Sequence, residues 1–158
     1  MDVTAIFMEY KDSVFRLALN YTRSIPDAED ICQTVFLKLL RQPSIKPGCE
    51  KAWLMQVTAN ESRNFLRSFW RRNVEPLEDM IPLQETKDRE LFKQVMQLKT
   101  GYRVVVYLYY YEGYSTEEIG KLLKISKTAV TTRLQRARQQ LKKELEESGY
   151  ETANEGAF

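Results

Sequence analysis

Val130, Leu134, Ala137, Leu141 and Leu145 follow one another at spacings of four, three, four and four residues. Only an α-helix puts such a series on one face, because a strand would need strict alternation. Upstream, Ile119, Leu122 and Leu123 repeat the period in a shorter stretch. Ser115 and Glu118 have the spacing of a capping box, and Gly113 is a natural stop for a preceding helix. Ser126 can cap the second helix. Gly120 falls where two crossing helices would approach closely, and a side chain there would hold them apart. The stretch from Ser115 to Arg138 therefore reads as a short helix, a tight turn and a long helix.

The outer face of the long helix is basic and rich in hydroxyls. At about 100° per residue, Thr128, Thr132, Gln135, Arg136 and Gln139 point outward, with Thr131 on the flank. Between Ser115 and Lys143 there are eight Lys or Arg and two Asp or Glu, a net charge of +6, against +2 for the whole chain. Thr, Gln and Arg can hydrogen-bond base edges, and the local charge suits a polyanion. A helix-turn-helix with such a face fits the major groove of DNA. The competing reading of these residues is an ordinary amphipathic helical hairpin with a solvated basic face.

Composition excludes several other classes. The 158 residues contain 6 Gly, 5 Pro and no His. Helical periods dominate, so the expected fold is all-α. The absent histidine removes the commonest general base and metal ligand. No GxxxxGK[ST] or GxGxxG motif occurs. The expectation is no enzymatic activity, no cofactor, no metal site and no small-molecule substrate. Glu29-Asp30 and Glu117-Glu118 are explained as first-turn residues that complement helix dipoles. No apolar run approaches the ~20 residues of a membrane span, and no basic-then-apolar leader opens the sequence. A cytoplasmic protein without membrane insertion is expected. Cys32 and Cys49 form no CxxC pair and read as a buried and a loop thiol in a reducing compartment.

The N-terminal half reads as three helices. Ile6, Phe7, Tyr10, Val14, Leu17, Ala18 and Tyr21 stripe the first, over roughly 4–23. The second starts near Pro26 with Ser24 as cap. Its Ile31, Val35, Phe36, Leu39 and Leu40 offer more apolar face than one small bundle needs, and its acids and Gln33 lie elsewhere. The third begins near Cys49 and ends in Arg63, Arg67, Arg71 and Arg72, interleaved with Phe65, Phe69 and Trp70. That mixture suits single-stranded nucleic acid, where cations meet phosphate and aromatic faces meet bases. It equally describes a core with solvated arginines. Between Asn73 and Asp88 the pattern breaks, with Pro76, Pro82 and five acids. The expected organisation is a domain over 1–73, a linker over 74–88, a second domain over 89–148 and a frayed tail over 149–158.

Three blocks in order make the chain resemble a bacterial extracytoplasmic-function sigma factor of the sigma-70 family. The run Ala28-Glu29-Asp30-Ile31-Cys32-Gln33-Thr34-Val35-Phe36 resembles the family helix that docks on the clamp helices of the large polymerase subunit. Ala52-Trp53-Leu54, Asn60 and Arg67 resemble its −10 recognition and melting region. Arg103 to Arg138 resembles its −35 helix-turn-helix. The resemblance implies a two-domain, all-α protein that binds core RNA polymerase and promoter DNA, with an anti-sigma factor as a further partner. It places Asp30, Gln33 and Phe36 at the polymerase. Trp53, Asn60, Asn64, Arg67, Arg71 and Arg72 fall at the −10 element, with Asn60 beside a flipped base. Lys127, Thr128, Thr131, Thr132, Arg133, Gln135 and Arg136 fall at the −35 element, Lys127 and Arg133 toward phosphate or the fold. Gly120 stands where the family usually has alanine, Lys99 where it often has proline, Thr128-Ala129 where it commonly has Gly-Thr, and Asn64 where aspartate is frequent.

Two other readings use fewer of the residues. A stand-alone helix-turn-helix regulator accounts for the C-terminal half but would normally dimerise on a two-fold site, and it leaves the second and third helices unused. A helical interaction protein without a DNA role leaves the basic outer face unused.

Overall fold

The computed structural model describes residues 1–71 and 93–147. They belong to two compact helical units. The expected linker over 74–88, the tail over 149–158, Arg72 and the side chains of Trp70 and Arg71 lie outside the described residues.

In the first unit, Asp2 opens α1 (Val3–Thr22) by accepting the Ala5 N–H at 3.0 Å. Arg23 ends it in the left-handed region with φ 55°, and its N–H returns to Leu19 O at 2.8 Å. Ser24 at once caps α2 (Ile25–Arg41), accepting from Asp27 N–H at 3.4 Å, with Pro26 in the first turn. Proline suits that position because its missing N–H would have had no helical partner there. So short a connection turns α2 back against α1, and α3 (Glu50–Arg71) packs on both. Val14, Ala18, Ala28, Ile31, Val35, Leu39 and Leu54 form the buried centre, with Phe7, Trp53, Val57 and Phe65 packed around it.

Burying one Val or Leu stabilises by about 1.5–3 kcal/mol. That core outweighs one defect on α3. The Ser62 hydroxyl is buried without a hydrogen-bond partner among the described residues, at a cost of about 1–3 kcal/mol. Next to it the Thr58 hydroxyl donates to Leu54 O at 2.6 Å.

The second unit begins with a helical stretch over 93–97 and continues through α4 (Thr100–Val106) into a π-helical turn at Tyr107–Tyr111. Glu112 N–H closes that turn on Tyr107 O, five residues back, at 3.2 Å. Gly113, at φ 73°, breaks the chain away. α5 (Thr116–Leu123) then starts at the expected capping box. Ser115 Oγ accepts from Glu118 N–H at 3.1 Å, and Glu118 Oε1 accepts from Ser115 N–H at 3.0 Å. The bond from the Ser115 backbone holds the Glu118 carboxyl below its usual range. Lys124, left-handed at φ 59°, ends α5. Ser126 Oγ accepts from Ala129 N–H at 3.0 Å as α6 (Lys127–Glu147) begins. Val130, Leu134, Ala137, Leu141 and Leu145 are all buried, as their spacing requires.

Arg103, only 2% exposed, is a buried charge among the described residues of this unit. Its Nη1 donates to Leu98 O at 2.7 Å and Met96 O at 3.3 Å, and Nη2 to Thr100 Oγ1 at 3.3 Å. A buried guanidinium is tolerable only when acceptors surround it. Here it gathers carbonyls from the end of the 93–97 stretch and ties that stretch to α4.

Candidate functional site

On α2, Asp30 and Gln33 are exposed one turn apart. Phe36 is half-buried instead, its ring 4.6 Å from that of Phe7 on α1. Of the apolar residues read as surplus on α2, Ile31, Val35 and Leu39 are buried and Leu40 stays exposed. Met8, Leu37 and Leu40 are 58%, 51% and 53% exposed. Lys38 forms an ion pair with Glu61 that joins α2 to α3. Cys32, also on α2, is half-buried. Burial, then the charge of Glu29, pushes its thiol up to about 11. At neutral pH roughly one thiol in ten thousand is then a thiolate, too few for a redox nucleophile.

On α3 the predicted residues divide. Trp53 packs against the core, as does Phe65. Phe65 also stacks with Phe69 at 6.1 Å between centroids. The interleaved aromatics are therefore partly internal, and neither Phe65 nor Trp53 offers a fully open face. Their neighbours form a polar stripe. Gln56, Asn60, Arg63 and Arg67 recur at spacings of four, three and four, within about 60° of one another on the helix. Gln56 and Arg67 are exposed, Asn60 and Arg63 half-buried, and Asn64 is exposed beside them. Arg63 Nη2 donates to Asn60 Oδ1 at 2.7 Å. Sequence reasoning counted Arg63 as one more cation and missed this bond, although an i, i+3 Asn–Arg spacing on a helix is its signal.

On α6, Lys127, Thr128, Thr131, Gln135 and Arg136 are exposed. Thr132, expected at the middle of the outer face, is half-buried, and Thr131, expected on the flank, is the more open of the two. The Thr131 hydroxyl donates to Lys127 O at 3.0 Å. Its proton is engaged inward, so the residue offers lone pairs and a methyl outward. The three arginines behave differently. Arg133 is half-buried with its guanidinium over Gly101, Nη1 standing 3.4 Å from where a Cβ there would be. Arg138 Nε donates to Tyr110 Oη at 2.7 Å, and its guanidinium lies 5.8 Å and 5.6 Å from the ring centres of Tyr109 and Tyr110. Arg136 alone of the three is exposed. Of the three arginines of α6, two are thus turned to the fold, and Arg136 stays on the outer face.

A model of sigma-70 region 2 matches residues 6–72, and a model of sigma-70 region 4 matches residues 88–141. The chain belongs to the extracytoplasmic-function sigma factors of the sigma-70 family. It is 31% identical to the ECF RNA polymerase sigma factor SigL of Mycobacterium tuberculosis, over 92% of this chain and 89% of that one. It is 30% identical to SigE of Mycolicibacterium smegmatis, over 92% of this chain, and spans 62% of SigE's length. Its fold matches the sigma factor RpoE of Bartonella quintana, solved in complex with the anti-sigma factor NepR. The TM-score is 0.79 at 22% identity, covering 92% of this chain and 97% of that one. The family model of region 2 spans α1 to α3, and that of region 4 spans α4 to α6 up to Leu141. No helix among the described residues is long and apolar enough to cross a membrane, and none of their His, Cys, Asp and Glu form a metal-holding cluster.

Proposed function

We propose that this chain binds core RNA polymerase in the cytoplasm and directs it to promoters, the chain itself performing no chemistry. The observation that carries the reading is that both promoter-recognition modules of the sigma-70 family match one chain, in order, on its two units. Residues 1–73 act as the region 2 domain and 89–148 as the region 4 domain, joined by a linker over 74–88 and followed by a tail.

Asp30, Gln33 and Phe36 serve the polymerase contact. The two polar groups are exposed for hydrogen bonds, and Phe36, braced by Phe7, offers a rigid apolar edge. Trp53, Asn60, Asn64, Arg67, Arg71 and Arg72 serve the −10 element. Asn60 receives an extruded base there, and Trp53 supports α3 from the core side. Lys127, Thr128, Thr131, Thr132, Gln135 and Arg136 serve the −35 element, with Arg136 as its base-reading cation. Arg133, seated on Gly101, acts mainly through the fold. The exposed Met8, Leu37 and Leu40 are the surface we assign to an anti-sigma factor, the partner class seen with RpoE of Bartonella quintana.

In vitro transcription tests the reading. Genomic fragments with core polymerase and this chain should give defined start sites, and neither component alone should. Specific duplex binding by the isolated chain, at an affinity that core leaves unchanged, would return the reading to a stand-alone regulator.

A further inference from the structure

The hydrogen bond between Arg63 and Asn60 determines which groups the −10 site can present. Arg63 Nη2 lies 2.7 Å from Asn60 Oδ1, and both residues are half-buried on the same face of α3. A guanidinium carries donors only. The amide atom it meets must therefore be the oxygen, which settles an orientation that the amide's shape alone leaves ambiguous. With one lone pair of the oxygen engaged by a cation, Asn60 presents mainly its two N–H donors. The bond is charge-assisted and sheltered from water on one side, so it is stronger than a neutral surface contact. It also draws electron density from the amide and sharpens the remaining N–H groups as donors.

An unrestrained asparagine recognises adenine by using both ends of its amide, oxygen to the exocyclic N–H and nitrogen to the ring acceptor. Arg63 competes with that pairing, because it takes one of the oxygen's two lone pairs and leaves a positive charge beside the other, which repels a further donor. What suits it is an edge with neighbouring acceptors, such as guanine O6 and N7 or cytosine O2 and N3. Gln56 and Arg67, exposed one turn to either side on the same stripe, extend the donor-rich strip along the helix.

We propose that Arg63 is a positioning residue that locks the Asn60 amide with its donors outward, so that the −10 site selects an unpaired base through acceptor atoms and disfavours adenine. The proposal rests on the assignment of Asn60 to the flipped base, and the test separates the two.

The test uses holoenzyme assembled from this chain and core polymerase on templates whose −10 segment is already unpaired, with each of the four bases placed at each unpaired position. Transcript yield gives the preference at every position. Wild-type protein should disfavour adenine at one position, and Asn60→Ala should abolish that preference. Arg63→Met should reduce the discrimination against adenine there by about three- to tenfold, the range one hydrogen bond decides. Arg63→Lys should retain part of it. A purely structural arginine would lower yield with all four bases alike, so the base-dependent change is the informative reading. Melting curves of each variant accompany the assay. If Asn60→Ala flattens the preference while Arg63→Met leaves it intact, the positioning role is overturned and the assignment of Asn60 stands. If Asn60→Ala changes no preference, the assignment of Asn60 falls and the proposal with it. A wild-type preference for adenine at the position that Asn60 controls overturns the acceptor-edge rule directly.

Discussion

The carbonyl oxygen of Ile125 stands 2.8 Å from where a Cβ on Gly120 would lie. The close approach is to the backbone of the turn, since Gly120 O itself accepts from Ile125 N–H at 2.9 Å and from the Lys124 N–H. A backbone oxygen in a closed turn cannot rotate away as a side chain would. Gly120→Ala gains about 0.8–1 kcal/mol of helix propensity but forces overpacking that costs about 1–3 kcal/mol. The net expectation is a loss of up to about 2 kcal/mol in the second unit, read from urea denaturation followed by near-ultraviolet signals of its tyrosines. A stabilised variant would mean that the turn opens freely.

Arg103 belongs to the fold and not to any DNA surface. Arg103→Met removes the donors that hold the Leu98 and Met96 carbonyls. Hydrogen bonds to a charged group contribute about 1.5–3 kcal/mol each, and methionine recovers part of that through packing. A loss of about 2–4 kcal/mol is expected, confined to the second unit. Denaturation of the variant should show the first unit unfolding at its normal midpoint, and a single unshifted transition for both units would refute the role.

Arg136 and Arg138 should separate cleanly. Arg136→Ala is expected to cost about 1–3 kcal/mol at one −35 base pair and to relax the preference there, with no change in stability. Arg138→Ala loses the bond to Tyr110 and two ring contacts, together about 1–2 kcal/mol of folding stability. Its effect on DNA should be uniform across sequences. Binding of a −35 mutant panel by holoenzyme, with melting curves alongside, checks both. A uniform loss for Arg136→Ala would demote it to a phosphate contact.

Asp30→Arg is expected to weaken binding to core polymerase by tenfold or more. Asp30 is the sixth residue of α2, past the first turn in which the helix dipole acts and where Asp27 is the acid. Stability should therefore fall only slightly. Competition against wild type for core, measured by fluorescence anisotropy, gives the affinity. Unchanged affinity removes Asp30 from the docking surface.

Cys32 should behave as a sheltered thiol. Its protonated form is favoured in the folded state, since burial, then the charge of Glu29, pushes the thiol up to about 11. The folded protein thus holds this proton more tightly than the unfolded chain. The associated stability is present in full below the unfolded value and is lost as pH rises through the folded one. In a Cys49→Ser background, iodoacetamide labelling should rise about tenfold per pH unit from pH 7 to 9 without levelling off. A plateau beginning near pH 8.5 would show an ordinary exposed thiol.

Much of this protein follows from its sequence because the relevant interactions lie within one or two helical turns. The 4-3-4-4 spacing from Val130 to Leu145 determined the buried face of α6 residue by residue. Ser115 and Glu118 determined where α5 begins, and Ser24 with Pro26 where α2 begins. Asp30, Gln33 and the long basic helix were equally legible as candidate surfaces, because exposure on an amphipathic helix follows from period alone. Tertiary structure decided what period cannot. An arginine flanking the apolar face reads the same whether its partner is a phosphate, a glycine 32 residues away, as for Arg133 and Gly101, or a tyrosine 28 residues away, as for Arg138 and Tyr110. Arg103, expected to open a DNA-binding block, is buried because carbonyls at the end of the preceding helical stretch converge on it. Phe36 is half-buried against Phe7 because α1 and α2 pack side by side, and Trp53 and Phe65 of α3 pack against the core of the same unit. Local periodicity selects which side of a helix faces the core, and only the packing of helices distant in sequence selects which of the remaining side chains stay available to a partner.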